Sequence, residues 1–220
     1  MGDTAEVAKG SVGKDIKVSS YSHAFCVSRA EIRSALPDSD DLTKDECRQI
    51  IRRYAAGVGG NFVTWLAAGV VSCRSIEGRY AASENVHIEI RDNHPAMLRR
   101  FAEGSGAVPS ADDYRFAELA ALPVQTEVSN MSGLFMIALV GTLENISLDY
   151  IPWLGAISRR LGNTDMEYVD IHGEADIAHA DQFCWALEKE AAQYDAPDAI
   201  IAAGSSAAVN FIKSLLQRFP

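Results

Sequence analysis

From about residue 43 onward, apolar residues recur every three or four positions between turn markers, and no stretch sustains the alternation of a half-buried strand. The pattern predicts an all-α fold. Residues 1–20 mix Gly, Ser, Lys and Asp without apolar periodicity and read as a flexible tail, leaving 21–220 as a single helical domain. Thr43 stands three residues before Glu46, the spacing at which each side chain satisfies an orphan N–H of a first helical turn. That start predicts a helix from 43 to the low seventies, with Ile50, Ile51, Tyr54, Val58, Phe62, Trp65 and Leu66 as its buried stripe. Gly57, Gly59 and Gly60 within it mark close helix contact, a kink, or room for a ligand. A second helix covers 76–91, and Pro95 disfavours helical angles at His94, so a break is expected at 92–94 before a further helix that begins near Pro95 and is ended by Gly104 and Gly106. Ser110 precedes Asp113 by three and opens another helix, which Pro123 is expected to separate from the apolar run 128–148. Thr164 and Glu167 have capping-box spacing before a helix of about 28 residues, and Pro197 opens the last one.

Composition narrows the function classes. Of 220 residues, 48% are hydrophobic, enough for a sizeable core, and the formal charge of −10 disfavours nonspecific binding to nucleic acid or anionic lipid. No apolar run approaches the ~18 residues of a membrane span, and the first 20 residues lack the apolar centre of a secretion signal. A cytoplasmic protein with a small-molecule partner, and with neither nucleic acid nor membrane as partner, is therefore expected. Cys26, Cys47, Cys73 and Cys184 form no Cys-x-x-Cys pair, which favours reduced thiols over a disulfide frame or zinc site.

The densest chemistry lies in His172-Gly-Glu-Ala-Asp176-Ile-Ala-His179. At ~100° per residue, Asp176 and His179 fall within about 40° of His172 around the axis, so two imidazoles and a carboxylate share one face. Such a set suits a borderline transition ion: iron, manganese or zinc. Glu89 and His94 are five apart, ~140° out of register on a continuous helix, and the break before Pro95 is what lets both face one centre. Glu84 with His87, three apart, is a competing pair. Glu144 ends a mostly apolar run from Gly133, so in a buried helix it requires a partner, and a metal would supply one.

The order Asn85-x-x-x-Glu89, then His94-Pro-x-x-Leu-x-x-Phe, then Glu144 in an apolar helix, then His172-x-x-x-Asp-x-x-His179-Ala, resembles the haem-oxygenase-like diiron oxidases and oxygenases. The resemblance spans about residues 40–190 and implies a seven-helix, TenA-like bundle on a scaffold that often forms homodimers. It implies two Fe(II) ions held by Glu89, His94, Glu144, His172, Asp176 and His179, with O2 as co-substrate. Glu89, Glu144 and Asp176 would then be the catalytic carboxylates. It further implies oxidation of a small amino acid or amine by desaturation, oxygenation or C–C cleavage, in natural-product biosynthesis. A fatty-acid oxidative decarboxylase and a metal-free, thiol-dependent TenA-like hydrolase are the alternatives on the same scaffold.

Substrate contacts are expected from Tyr54, Phe62 and Trp65 on the first core helix and from Phe135 and Leu139 before Glu144. Arg53, Arg91 or Arg159 would meet a substrate carboxylate, with Arg91 the leading candidate. Val169, Cys184 and Trp185 are expected to pack around the His172 stripe.

Overall fold

The computed structural model describes residues 22–218, and the expected tail, 1–20, lies outside them. Within this span the chain is helical throughout: α1 (Ser22–Ala35), a 3-10 turn (Ser39–Asp41), α2 (Lys44–Ser72), α3 (Ile76–Arg91), α4 (His94–Gly104), α5 (Ala111–Ser129), α6 (Gly133–Arg160), α7 (Glu167–Ala191) and α8 (Pro197–Leu216). Seven of these are the helices the periodicity predicts. The additional one, α1, carries no start signal and is tied across the bundle, where Arg29 grips Asp149 through two hydrogen bonds of 2.7 and 2.9 Å.

Helix α6 is the axis of the molecule. Every residue from Gly133 to Glu144 is buried, and α1, α2, α7 and α8 all pack against it. By length and composition α2, α6 and α8 could each cross a bilayer, which corrects the expectation that no apolar segment approaches that size. Their apolar windows are broken by isolated polar residues, so no continuous run shows in the sequence. In α6, 83% of the window is buried inside the protein.

Local chemistry accounts for the helix ends. Capping boxes form at Thr43–Glu46 and Ser110–Asp113. The one expected at Thr164–Glu167 does not. Instead α7 starts at Glu167, whose N–H donates to Asp165 Oδ1 at 3.2 Å, after a turn in which Asn163 Oδ1 accepts from Asp165 N–H. Pro123 does not end α5 but sits inside it on the exposed face, where the carbonyl left without a helical donor can meet water. At the other end of the bundle, Glu190 of α7 is fully buried. It accepts hydrogen bonds from the N–H groups of Arg74 and Ser75 and from the Ser75 hydroxyl, tying α7 to the start of α3.

The break between α3 and α4 matters most for function. Asn93 adopts the left-handed conformation at φ 57°, and its carbonyl accepts from the N–H groups of Ala96 and Met97 in the first turn of α4. The chain thereby changes direction between Glu89, in the last turn of α3, and His94, the first residue of α4.

Candidate metal centre and its cavity

Four helices bring the six expected ligands together in two adjoining groups. In the first, the ligand atoms of Glu89, His94 and His172 lie within 4.8 Å of one another; in the second, those of Glu144, Asp176 and His179 do so. The competing pair, Glu84 and His87, faces outward on the exposed side of α3.

In the first group the turn at Asn93 places His94 Nδ1 2.7 Å from Glu89 Oε1. Burial opposes a charge on this imidazole, but the Glu89 carboxylate outweighs it and holds the pKa above the ordinary histidine value. His172 behaves oppositely. Burial, helped by His94, pushes its pKa down to about 4, so the ring is neutral near pH 7. Its Nδ1 lies 2.7 Å from the Tyr168 carbonyl one turn earlier. A carbonyl only accepts, so Nδ1 carries the proton and Nε2 presents a lone pair, as a metal-binding histidine requires.

In the second group, burial raises the Glu144 carboxyl to about 8, with Glu89 adding repulsion. Burial and the neighbouring Glu144 raise Asp176 to about 9. Without a cation, both carboxyls hold protons at neutral pH. The contacts of Ser147 agree with this. Its Oγ lies 2.6 Å from the Glu144 carbonyl and 2.5 Å from Asp176 Oδ2. One hydroxyl proton cannot serve both, so the carboxyl's own proton completes the second contact. His179 Nδ1 stands 3.5 Å from Glu144 Oε2 and 3.9 Å from Asp176 Oδ1, and burial lowers its pKa. Three carboxyls and three imidazoles, buried or half-buried and facing one another, form a donor set that fits a pair of borderline transition ions.

A cavity of about 50 Å³ opens onto Glu89, His94, Glu144, His172 and Asp176. Tyr54, Val58, Phe62 and Trp65, all on one face of α2, form one wall, and Leu98 and Phe211 extend it. Leu143, Ser147, Tyr150, Ile151 and Tyr168 line it as well. These were missed in the sequence, although Ser147 and Ile151 stand at helical steps of three and seven from Glu144, and Tyr168 at four from His172. The Tyr54 and Tyr168 hydroxyls hydrogen-bond at 2.6 Å, and burial raises both phenol pKa values. The buried Trp65 indole N–H has no partner among the described residues, at a cost of roughly 1–3 kcal/mol.

Several expected contacts fall elsewhere. Phe135 stands nine residues before Glu144, about 180° around the helix, and Leu139 about 140°. Both are buried in the core, with their backbone against Gly204 of α8. Arg91 lies about 200° from Glu89 and points outward, held by Asp92 at 2.7 Å. Arg53 places its guanidinium 4.7 Å above the Phe116 ring, and Arg159 is exposed. Among the described residues no Lys, Arg or Cys lines the cavity. Trp185, about 220° from His172, is 43% exposed and does not pack around the ligand stripe.

Residues 52–211 match the family described as iron-containing redox enzymes of haem-oxygenase type, and the chain belongs to that family. Among solved structures, a TenA homolog from Pseudomonas syringae pv. tomato strain DC3000 is similar at TM-score 0.61 and 13% identity. The match covers 97% of this chain and 98% of that one, a likeness of fold. No curated protein matches the sequence.

Proposed function

We propose that this protein is a nonhaem diiron oxidase or oxygenase that uses O2 to oxidise a compact, mainly apolar amine or amino-acid-derived substrate. The observation that carries the reading is the convergence of six ligands from α3, α4, α6 and α7 into two adjoining three-ligand groups beside one cavity. Glu89, His94 and His172 would hold one iron, and Glu144, Asp176 and His179 the other. When bound, the iron pair supplies O2 activation and one-electron chemistry. The chain supplies the rest. Loss of the Glu144 and Asp176 protons makes two anionic ligands, and the Tyr168 carbonyl keeps the His172 lone pair on Nε2. The wall of Val58, Phe62, Leu98 and Phe211 excludes water from the reacting end.

Substrate size follows from the cavity. At about 50 Å³ it favours a compact substrate over a long acyl chain. The thiol-dependent hydrolase would need a cysteine in the cavity, and none lines it among the described residues. The deciding experiment is anaerobic ferrous titration followed by exposure to O2. Two irons per chain and an O2-dependent change in visible absorbance are expected; fewer than one iron per chain with no response to O2 would overturn the reading.

A further inference from the structure

We infer that Gly59 sets the largest cross-section the cavity admits, at a mouth between α2 and α4, and that the substrate passes it with a compact apolar part. The inference deepens the oxidase reading and rests on it only in calling the guest a substrate.

The place of the mouth follows from exposure. Of the residues that line the cavity, Val58, Gly59, Phe62 and Val63 on α2, Pro95 on α4 and His172 on α7 are half-exposed, and the rest are buried. Five of these six are apolar and stand on two helices that pack together, so the way in from solvent runs between α2 and α4. Leu98, one turn after Pro95, closes the α4 side of it and is itself buried.

The three glycines of this stretch separate by cause. A glycine weakens a helix interior relative to alanine, so each calls for a reason. Gly57 has one in packing, because a Cβ there would stand 2.7 Å from Leu215 Cδ1 of α8. Gly60 is exposed, has nothing within 4 Å of its Cβ position, and does not line the cavity. Gly59 differs from both. Its φ is not positive, and a Cβ would meet only Leu98 Cδ2, at 3.7 Å, an ordinary van der Waals contact. Neither the backbone nor the packing therefore demands glycine at 59. What the missing side chain leaves open is the gap between α2 and Leu98 in the cavity wall. An alanine methyl would already bridge that gap, and the longer arms of a valine would reach into the cavity or displace Leu98. In a cavity of about 50 Å³, such groups take a large share of the room. The rival explanation is that glycine serves to soften α2, and it would apply to Gly60 equally.

The test uses the full chain with zinc(II) as a diamagnetic ion, and reads binding from the methyl resonances of Val58, Val63 and Leu98 by 13C–1H correlation. Xenon and cyclopentane are the probes, both apolar and different in size. The wild type is expected to bind both. Gly59→Val is expected to weaken cyclopentane binding by about tenfold or more, the effect of crowding an apolar pocket by a carbon or two, and to weaken xenon binding by less than about twofold. Gly60→Val, on the outward side of the same turn, should leave both as in the wild type. Gly59→Ala should fall between and should raise the melting temperature, which separates lost room from lost folding. Unchanged cyclopentane binding in Gly59→Val, equal loss of both probes in it, the same weakening in Gly60→Val, or a wild type that binds neither probe overturns the inference. Iron stoichiometry, measured separately on the wild type and Gly59→Val, is expected to be equal, and keeps failure here distinct from failure of the diiron reading.

Discussion

At the scale of single residues, protonation dominates the behaviour of the centre. Glu144 and Asp176 are raised to about 8 and 9 from ordinary values of 4.5 and 3.8, so the folded chain binds more protons than the unfolded chain between those limits. Stability of the metal-free protein therefore falls as pH rises through that window. His94, raised by Glu89, contributes with the same sign above pH 6.5. His172 and His179, both lowered, act in the opposite sense but only below about pH 6.5. Between pH 6.5 and 9 the melting temperature of metal-free protein should decline, and Glu144→Gln with Asp176→Asn should flatten that decline in calorimetric scans. Iron uptake should release protons and tighten with pH over the same range, measurable by titration in weakly buffered solution. His179→Ala should abolish turnover and reduce bound iron while leaving circular dichroism near the wild-type value, because it empties a ligand position without opening the core. Full activity with two irons bound would place the ligand elsewhere.

Among the elements, α7 and the α3–α4 break carry the site. Three of the six ligands stand on α7, on one face, and without a cation that face brings buried carboxyls together. Ferrous iron should therefore slow amide hydrogen exchange in 167–191 more than in α8, which contributes no ligand. The far end of α7 is anchored independently of metal through Glu190. Glu190→Ala would orphan the Arg74 and Ser75 donors and should destabilise the protein by about 2–4 kcal/mol in urea unfolding, with iron stoichiometry unchanged in the folded fraction. A loss of iron binding at equal folding would show that this anchor reaches the centre. Sequence reading located the ligand helices because their cues are local: helical steps of four and seven in α7, and a proline after His94. It missed α1, whose hold on the bundle is the long-range Arg29–Asp149 pair, and it misread Pro123, because exposure of that face lets a proline remain within a helix.

For the whole molecule, the all-helical class and the family were legible in periodicity and motif order, and the cavity wall was only half legible. Tyr54, Phe62 and Trp65 lie where a stripe on α2 put them, but Phe135 and Arg91 do not, because their angular offset from the ligands turns them into the core and toward solvent. No arginine lines the cavity among the described residues, and an aromatic wall stands there instead. That substitution shows only once helices distant in sequence are placed side by side.

Helix α2 lends six residues to the cavity wall and none of the six ligands. Part of the cavity wall thus stands on a stretch of chain that holds no ligand. On the proposed function, exchanging residues 54–65 should change which molecules the cavity accepts while iron stoichiometry stays the same.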